Sequence, residues 1–373
     1  MRILLLSAYD AHSHRRWRQI LRAEFADFEW HTLTLPPRYF SWRIRGNSLS
    51  WSQNEKKILS SPYDLLIATS MTDLATLRGL VPQLCNLPTL LYFHENQFAY
   101  PANQSPYGMV EAQMVSIYSA LAADQLAFNS NYNLQSFLQG VSELFSKLPD
   151  HVPRGVVDQL KKKSQVIPVP ILPHASFVSR TNNHEKLSIV WNHRWEYDKG
   201  PKRLLNLVNV LKKLNNRKYH LHIVGQQFRT LPKEFEHIKK VIQCSQNLSL
   251  GYWGFVKSEV DYKMILSACD VVLSTALHDF QGLSVLDAVA VGCIPVVPDR
   301  LAYQELFEQD YRYDVDEDKL EVEANSAAVK LEIIAELKSK KQLLSVPSVE
   351  FLSPDVLSNK YRLCFENLIK CKS

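Results

Sequence analysis

A chain of 373 residues is longer than one ordinary hydrophobic core serves and comfortable for two. With 46% hydrophobic and 22% charged residues and a formal net charge of +5, its composition excludes a disordered or fibrous chain and leads us to expect order nearly throughout. The apolar part of Met1 to Ser7 is too short for a signal peptide, and no run approaches the roughly 20 apolar residues of a membrane span, so a soluble protein is expected.

Along the chain, short apolar runs alternate with longer helical patterns, the signature of βαβ units and of parallel sheets covered on both faces. Strands are predicted at residues 3–7, 64–69, 89–93, 125–129 and 165–169, and a second series at 187–191, 220–224, 248–253, 271–274 and 294–297. Between the two series, Ile167-Pro168-Val169-Pro170-Ile171-Leu172-Pro173 cannot continue a helix, and Ser179 to Lys186 has linker composition. The boundary is therefore placed near residues 170 to 186. At the far end Ser353-Pro354-Asp355 opens a helix with Ser at the N-cap and Pro in the first turn, and Val356, Tyr361, Cys364, Phe365 and Leu368 give it an apolar face. No internal repeat is visible. The expected architecture is α/β, with two Rossmann-like domains facing across a cleft, at 1–175 and 186–350, and a C-terminal helix, 351–373, returning to the first.

Cys85, Cys244, Cys269, Cys293, Cys364 and Cys371 show no paired metal-ligand spacing, so free thiols in a reducing cytosol are expected and structural zinc is not. Arg15, Arg16, Arg18, Arg22, Arg38, Arg43 and Arg45 crowd the first part of the chain, and Lys161, Lys162 and Lys163 follow. Such a cluster suits a polyanionic partner, or simply solvated helix faces.

The stretch His278-Asp279-Phe280-Gln281-Gly282-Leu283-Ser284-Val285-Leu286-Asp287-Ala288 follows a buried strand and turns into a helix near Gly282. A tight turn between strand and helix N-terminus is where open α/β sheets bind phosphate. Free N–H groups at Gly282, Leu283 and Ser284 would face a pyrophosphate. Asp279 and Asp287 are eight positions apart, one in the loop and one on the helix, as two carboxylates must be to receive the hydroxyls of a sugar and of a ribose; helix capping or plain surface positions are the alternative. Upstream, Trp191-Asn192-His193-Arg194-Trp195-Glu196-Tyr197-Asp198-Lys199-Gly200 ends the first strand of the second domain. Arg194 and Lys199 there suit the charge of a nucleoside diphosphate leaving group, without a metal. The segments Gly225-Gln226-Gln227 and Trp253-Gly254-Phe255 are expected around the nucleobase.

In the first domain, Leu91-Tyr92-Phe93-His94-Glu95-Asn96-Gln97-Phe98 places an imidazole, a carboxylate and two amides at the end of a buried strand, read as a sugar-facing or acceptor-facing hand. The turn Tyr9-Asp10-Ala11-His12-Ser13-His14 leads into Arg15-Arg16-Trp17-Arg18 and suits an acceptor carrying phosphates. Trp42-Arg43-Ile44-Arg45-Gly46, followed by Trp51, interleaves aromatic and basic residues in the manner of surfaces that stack bases and neutralise phosphates, though such residues also pack on loops.

The His278-to-Ala288 stretch resembles the E-x7-E signature of retaining GT-B glycosyltransferases of family 4, and Arg194 with Lys199 matches that family's diphosphate pair. More narrowly, Phe93 to Gln97, Asp150-His151-Val152-Pro153, Trp191 to Lys199 and Val271-Val272-Leu273-Ser274-Thr275-Ala276 resemble the tRNA-queuosine alpha-mannosyltransferase family. The resemblance implies transfer of mannose from GDP-mannose, with retention and no cofactor or metal, to queuosine in the anticodon of tRNA-Asp, in the cytoplasm. Taken together with the readings of the residues above, the expected catalytic residues are His94, Arg194, Lys199 and Asp279, the donor-binding ones Gly254, Phe255, Gly282, Leu283, Ser284 and Asp287, and the acceptor-binding ones Ser13, His14, Trp42, Arg43, Arg45, Glu95, Asn96 and Gln97. Two departures stand out: both acids of E-x7-E are aspartate here, and Asp10-Ala11-His12 replaces the glycines usual before Ser13-His14. Rival readings are a related enzyme with another nucleotide sugar and a glycan or lipid acceptor, an epimerase of the nucleotide sugar, and a catalytically inactive tRNA-binding relative. The oligomeric state is not fixed.

Overall fold

The computed structural model describes residues 1–99, 109–172, 186–214, 217–342 and 345–371; most of the expected linker, at 173–185, lies outside the described residues. The chain divides into two compact units, Met1–Pro170 with Leu352–Ser373, and Ile171–Phe351.

The first unit runs β1 (Arg2–Ser7), α1 (His12–Glu24), β2 (Glu29–Thr34), α2 (Phe40–Asn54), α3 (Lys56–Leu59), β3 (Leu65–Thr69), α4 (Leu74–Leu80), β4 (Thr89–Phe93), α5 (Met109–Ala122), β5 (Gln125–Phe128), α6 (Asn131–Ser146), α7 (Val156–Lys162) and β6 (Ser164–Val166). Its strands are all parallel, in the order β2-β1-β3-β4-β5-β6. The central strands are apolar at nearly every position and buried throughout, which a strand tolerates only when helices cover both faces.

In the second unit come β7 (Lys186–Trp191), α8 (Pro201–Lys213), β8 (Lys218–Val224), α9 (Glu234–Gln243), β9 (Leu248–Gly254), α10 (Glu259–Ser267), β10 (Val271–Leu273), α11 (Leu283–Ala290), β11 (Ile294–Pro298), α12 (Tyr303–Leu306), β12 (Arg312–Tyr313) and α13 (Leu320–Ser339). This second parallel sheet has the order β12-β11-β10-β7-β8-β9. Successive strands are laid down from β7 outward to β9, and then the chain returns to place β10 on the other side of β7. The order thus reverses between β7 and β10, and in an open α/β sheet ligands bind at the carboxyl ends of the strands that flank such a reversal.

The last helix, α14 (Pro354–Lys370), belongs to the first unit, as expected of the C-terminal helix. Ser353 caps it by accepting the Val356 N–H, and Pro354 occupies its first turn. Its apolar face is seated by polar as well as aromatic contacts. Trp17 donates its indole N–H to the Tyr361 hydroxyl at 2.9 Å, that hydroxyl donates to the Pro168 carbonyl at 2.9 Å, and the rings of Phe25 and Phe365 meet edge to face at 5.5 Å.

Candidate active site

In the second unit the residues after β7 and after β10 meet at the strand-order reversal. Tyr197–Lys199 forms one 3-10 turn, and the N–H groups of Leu277 and His278 donate to the Asp198 carbonyl at 2.8 and 3.1 Å, docking the post-β10 loop on it. Gly200 closes the turn in the left-handed region at φ 69°, and a Cβ there would stand 2.0 Å from the Thr275 carbonyl oxygen. Only glycine lets the two segments approach so closely. Lys199, 8% exposed, is held by this turn: its Nζ donates to the His278 carbonyl at 2.6 Å and lies 3.4 Å from Asp198 Oδ2 and 3.5 Å from Asp279 Oδ2.

Arg194 reaches out from the end of β7, its guanidinium paired with Glu196 and 3.4 Å from Asp198 Oδ2, with about half of its side chain exposed. Burial raises the Glu196 carboxyl above its usual range, against the pull of Arg194. His193 is buried between Ser274 and Ser284, with its Nε2 3.0 Å from one hydroxyl and its Nδ1 3.3 Å from the other. Burial first, and then the Lys199 charge, bring its pKa down to about 3, so the ring is neutral at pH 7.

Asp279 accepts the Gly282 N–H on Oδ1 at 2.9 Å and the Tyr303 hydroxyl on Oδ2 at 3.2 Å. Burial on its own would raise the Asp279 pKa; Lys199, His193 and the Gly282 N–H outweigh it and hold the carboxyl below its ordinary value. Gly282, at φ 71°, is the N-cap of α11. Sequence reasoning offered its N–H to a phosphate, and here the structure corrects it. Asp279 takes that N–H, so the donors α11 can turn toward an anion begin at Leu283 and Ser284, which have no carbonyl within the helix to bond. Asp287 stands half-buried farther along the same helix.

Gly254 ends β9 at φ 107°, its carbonyl accepting the Gly225 N–H at 3.0 Å. Beyond it, Phe255 is 54% exposed and lines a pocket of about 520 Å³ with Tyr252, Lys257, Asp261 and Met264.

The first unit has its own polar cluster at the ends of β1 and β4. His94 is buried with neither ring nitrogen hydrogen-bonded among the described residues, and its ring lies 4.1 Å from that of His14, 4.7 Å from Tyr92 and 4.9 Å from Trp17. Burial, with the neighbouring His14 adding to it, drives its pKa well below the usual histidine value. His14 donates from Nδ1 to the Tyr9 carbonyl. Ser13 is half-buried in the first turn of α1, and Glu95 is half-buried beside His94, its carbonyl accepting the Ser70 hydroxyl at 3.1 Å.

The other polar and aromatic candidates of this unit already have partners within it. Asn96 serves its own loop: its amide donates to the Asn133 carbonyl, Asn133 Oδ1 and Ser136, and its oxygen accepts the N–H groups of Phe98 and Ala99. Gln97 is buried against Met71 Sδ at 3.5 Å. Arg45 is ion-paired with Asp73 at 2.6 Å and Glu111 at 3.2 Å. Trp51 lies in the core at 2% exposure, while Trp42 is half-exposed and Arg43 half-buried. The Asp10 carboxylate, which stands where glycines were expected, takes two bonds from Arg18 at 3.0 and 2.9 Å.

His193, Ser274 and Tyr303 were not singled out from the sequence as site residues. His193 and Ser274 lie inside stretches quoted for the resemblance but were given no role of their own, and the Tyr303 contact with Asp279 spans 24 positions.

Two parallel Rossmann-like sheets, with a lysine, a half-buried aspartate and a helix N-terminus gathered at the reversal of the second, define a GT-B glycosyltransferase. Residues 175–344 match the family model described as glycosyl transferases group 1, and residues 2–171 match the one described as tRNA-queuosine alpha-mannosyltransferase N-terminal. The chain is 31% identical over 322 residues to the tRNA-queuosine alpha-mannosyltransferase of Drosophila melanogaster, with 83% of each chain covered. It belongs to the tRNA-queuosine alpha-mannosyltransferase family. Similar solved structures agree on the fold. One described as trehalose-6-phosphate from E. coli bound with UDP-2-fluoro glucose has a TM-score of 0.63 at 14% identity, covering 99% of both chains. The Anabaena Alr3699/HepE structure in complex with UDP and glucose has a TM-score of 0.60 at 15% identity, covering 98% of this chain and 100% of that one. Among the described residues no helix is long and apolar enough to cross a membrane.

Proposed function

We propose that this glycosyltransferase moves mannose from GDP-mannose, with retention and without a metal, to the queuosine nucleoside in the anticodon of tRNA-Asp. The observation that carries the reading is the likeness to the Drosophila tRNA-queuosine alpha-mannosyltransferase along most of the chain, taken with the match of residues 2–171 to that family's N-terminal model.

In this reading Arg194, Lys199 and the first turn of α11 at Leu283 and Ser284 hold the diphosphate, where their fixed charge and dipole stabilise the leaving group. Asp279 receives hydroxyls of the sugar, Asp287 those of the ribose, and Gly254 with Phe255 borders the base pocket. Gly282 contributes by its conformation, which lets the turn and Asp279 close on each other. From the first unit His94 serves the transferred sugar, and Ser13, His14, Trp42, Arg43 and Glu95 serve the acceptor. The acceptor hydroxyl attacks on the face the diphosphate leaves, and its proton passes to a diphosphate oxygen, so retention needs no covalent sugar–enzyme intermediate.

The test is to incubate the protein with GDP-mannose, and separately with UDP- and ADP-sugars, and with tRNA containing or lacking queuosine, and to weigh the modified nucleoside. A hexose found only with GDP-mannose and queuosine-bearing tRNA is expected. Transfer from another donor, or to a glycan or lipid in place of tRNA, overturns the assignment.

A further inference from the structure

Aspartate reaches about 1.5 Å less far than glutamate, one carbon–carbon bond, so a site built around Asp279 must fix that carboxylate by other means. Tyr303, the first residue of α12, is fully buried, and its hydroxyl lies between Ser274 Oγ at 2.9 Å and Asp279 Oδ2 at 3.2 Å. Ser274 Oγ is itself 3.0 Å from His193 Nε2, so the hydroxyl is anchored from behind. The tyrosine ring packs under the N-cap turn: a Cβ on Gly282 would come within 2.8 Å of its Cε1. One side chain therefore supports both the turn that opens α11 and the acid beside it.

We propose that Tyr303 is a positioning residue, whose hydroxyl sets the place of the Asp279 carboxylate and occupies the space that the longer arm of a glutamate would need. The inference rests on the reading of Asp279 as the acid that receives the sugar hydroxyls. A glutamate oxygen carried about 1.5 Å farther along the same line would run into the tyrosine oxygen, and turning aside would give up the Gly282 N–H. Burial, with the Asp279 charge beside it, raises the phenol well above its ordinary pKa, so it stays protonated and donates. A carboxylate offers about four acceptor positions, and Gly282 and Tyr303 take two, which leaves room for sugar hydroxyls.

The experiment compares the full-length wild type with Tyr303→Phe, Asp279→Glu, the double variant, Ser274→Ala and Asp279→Asn, measuring kcat, KM for GDP-mannose, GDP affinity by calorimetry and Tm. Tyr303→Phe keeps the ring and removes only the hydroxyl, so kcat should fall about tenfold with GDP affinity unchanged. Asp279→Glu should lose about a hundredfold, and adding Tyr303→Phe should recover about tenfold of that. Wild-type kcat in Tyr303→Phe, or a double variant no better than Asp279→Glu, overturns the proposal. If Tyr303→Phe lowers Tm so far that turnover cannot be compared, Ser274→Ala decides: it leaves the tyrosine in place, removes its anchor, and should still lower kcat with GDP affinity kept. Full activity in Asp279→Asn would instead sink the reading of Asp279, a result distinguishable from failure of the tyrosine's role.

Discussion

Lys199 and Arg194 differ in how tightly the fold holds them. Lys199 is almost enclosed, with a carbonyl and two carboxylates within 3.5 Å, whereas Arg194 keeps about half its side chain in solvent. Lys199→Ala leaves the buried Asp198 and the half-buried Asp279 with one positive neighbour fewer, so it should lower both kcat and Tm; Arg194→Ala should lower kcat and leave Tm nearly unchanged. We expect a loss in kcat of about a hundredfold for each, read by steady-state kinetics with calorimetry beside it. Near-wild-type turnover in both would remove them from the diphosphate site. The neighbouring histidines predict a pH dependence of stability. Burial first, and then the Lys199 charge, put His193 at about 3 and His278 at about 4, against an ordinary value of 6.5. A histidine depressed by folding binds its proton more readily in the unfolded chain. The stability it lends is full above pH 6.5 and is lost as pH falls toward the folded value. The free energy of unfolding should therefore drop between pH 7 and pH 4, at up to about 1.4 kcal/mol per pH unit for each such group, Tm falling with it, and His193→Asn should flatten the slope. A Tm unchanged across that range would contradict the buried neutral state.

Among the elements, α14 is the one whose role a single substitution tests most directly. Phe365 is fully buried against Phe25, so Phe365→Ala should cost about 3 to 5 kcal/mol by urea unfolding; a cost below about 1 kcal/mol would mean the helix is not seated as described. The same element illustrates what is legible from local pattern. Ser353-Pro354 and the apolar spacing mark α14 because capping and amphipathicity are properties of neighbouring residues. The inner strands were legible for a related reason: burial on both faces requires unbroken apolar runs such as residues 65–69 and 89–93. The strand β2 escaped notice because it is an edge strand with Leu33 alone fully buried, and β12 because it is two residues long. At the site, the turn from Asp279 to Gly282 could be read because cap, acid and glycine lie within four positions. The bonds of Asn96 and Gln97 could not be read from local pattern because their partners, Asn133 and Met71, lie 37 and 26 positions away. A polar residue's partner decides whether it serves the loop or a ligand, and distant partners leave no trace in local spacing.

Over the whole molecule the number of arginines crowded into the first part of the chain overstates what is available to an anion, because several of them are already paired with acids. Arg18 and Arg15 sit on Asp10, Arg45 on Asp73 and Glu111, and Arg2 on Glu29. Arg43 makes a long bond of 3.4 Å to the Pro36 carbonyl and keeps its charge. If tRNA binds here, Arg43→Ala should reduce the slope of log affinity against log salt by about one, and Arg45→Ala should leave that slope as it was. Equal effects from the two would mean that the Asp73 and Glu111 pairs open on binding. The path of the chain has a further consequence, for the order in which a ribosome's product can mature. The first unit holds Trp17 and Tyr92 ready for a partner, Tyr361, that is synthesised 344 residues after the first of them. While the second unit is being made, and can close on itself, the first waits with an aromatic face uncovered. Its completion waits until α14 has been made, so release of the nascent chain before that point would leave a finished second unit tethered to an unfinished first, with that bare face open to chaperones or to aggregation.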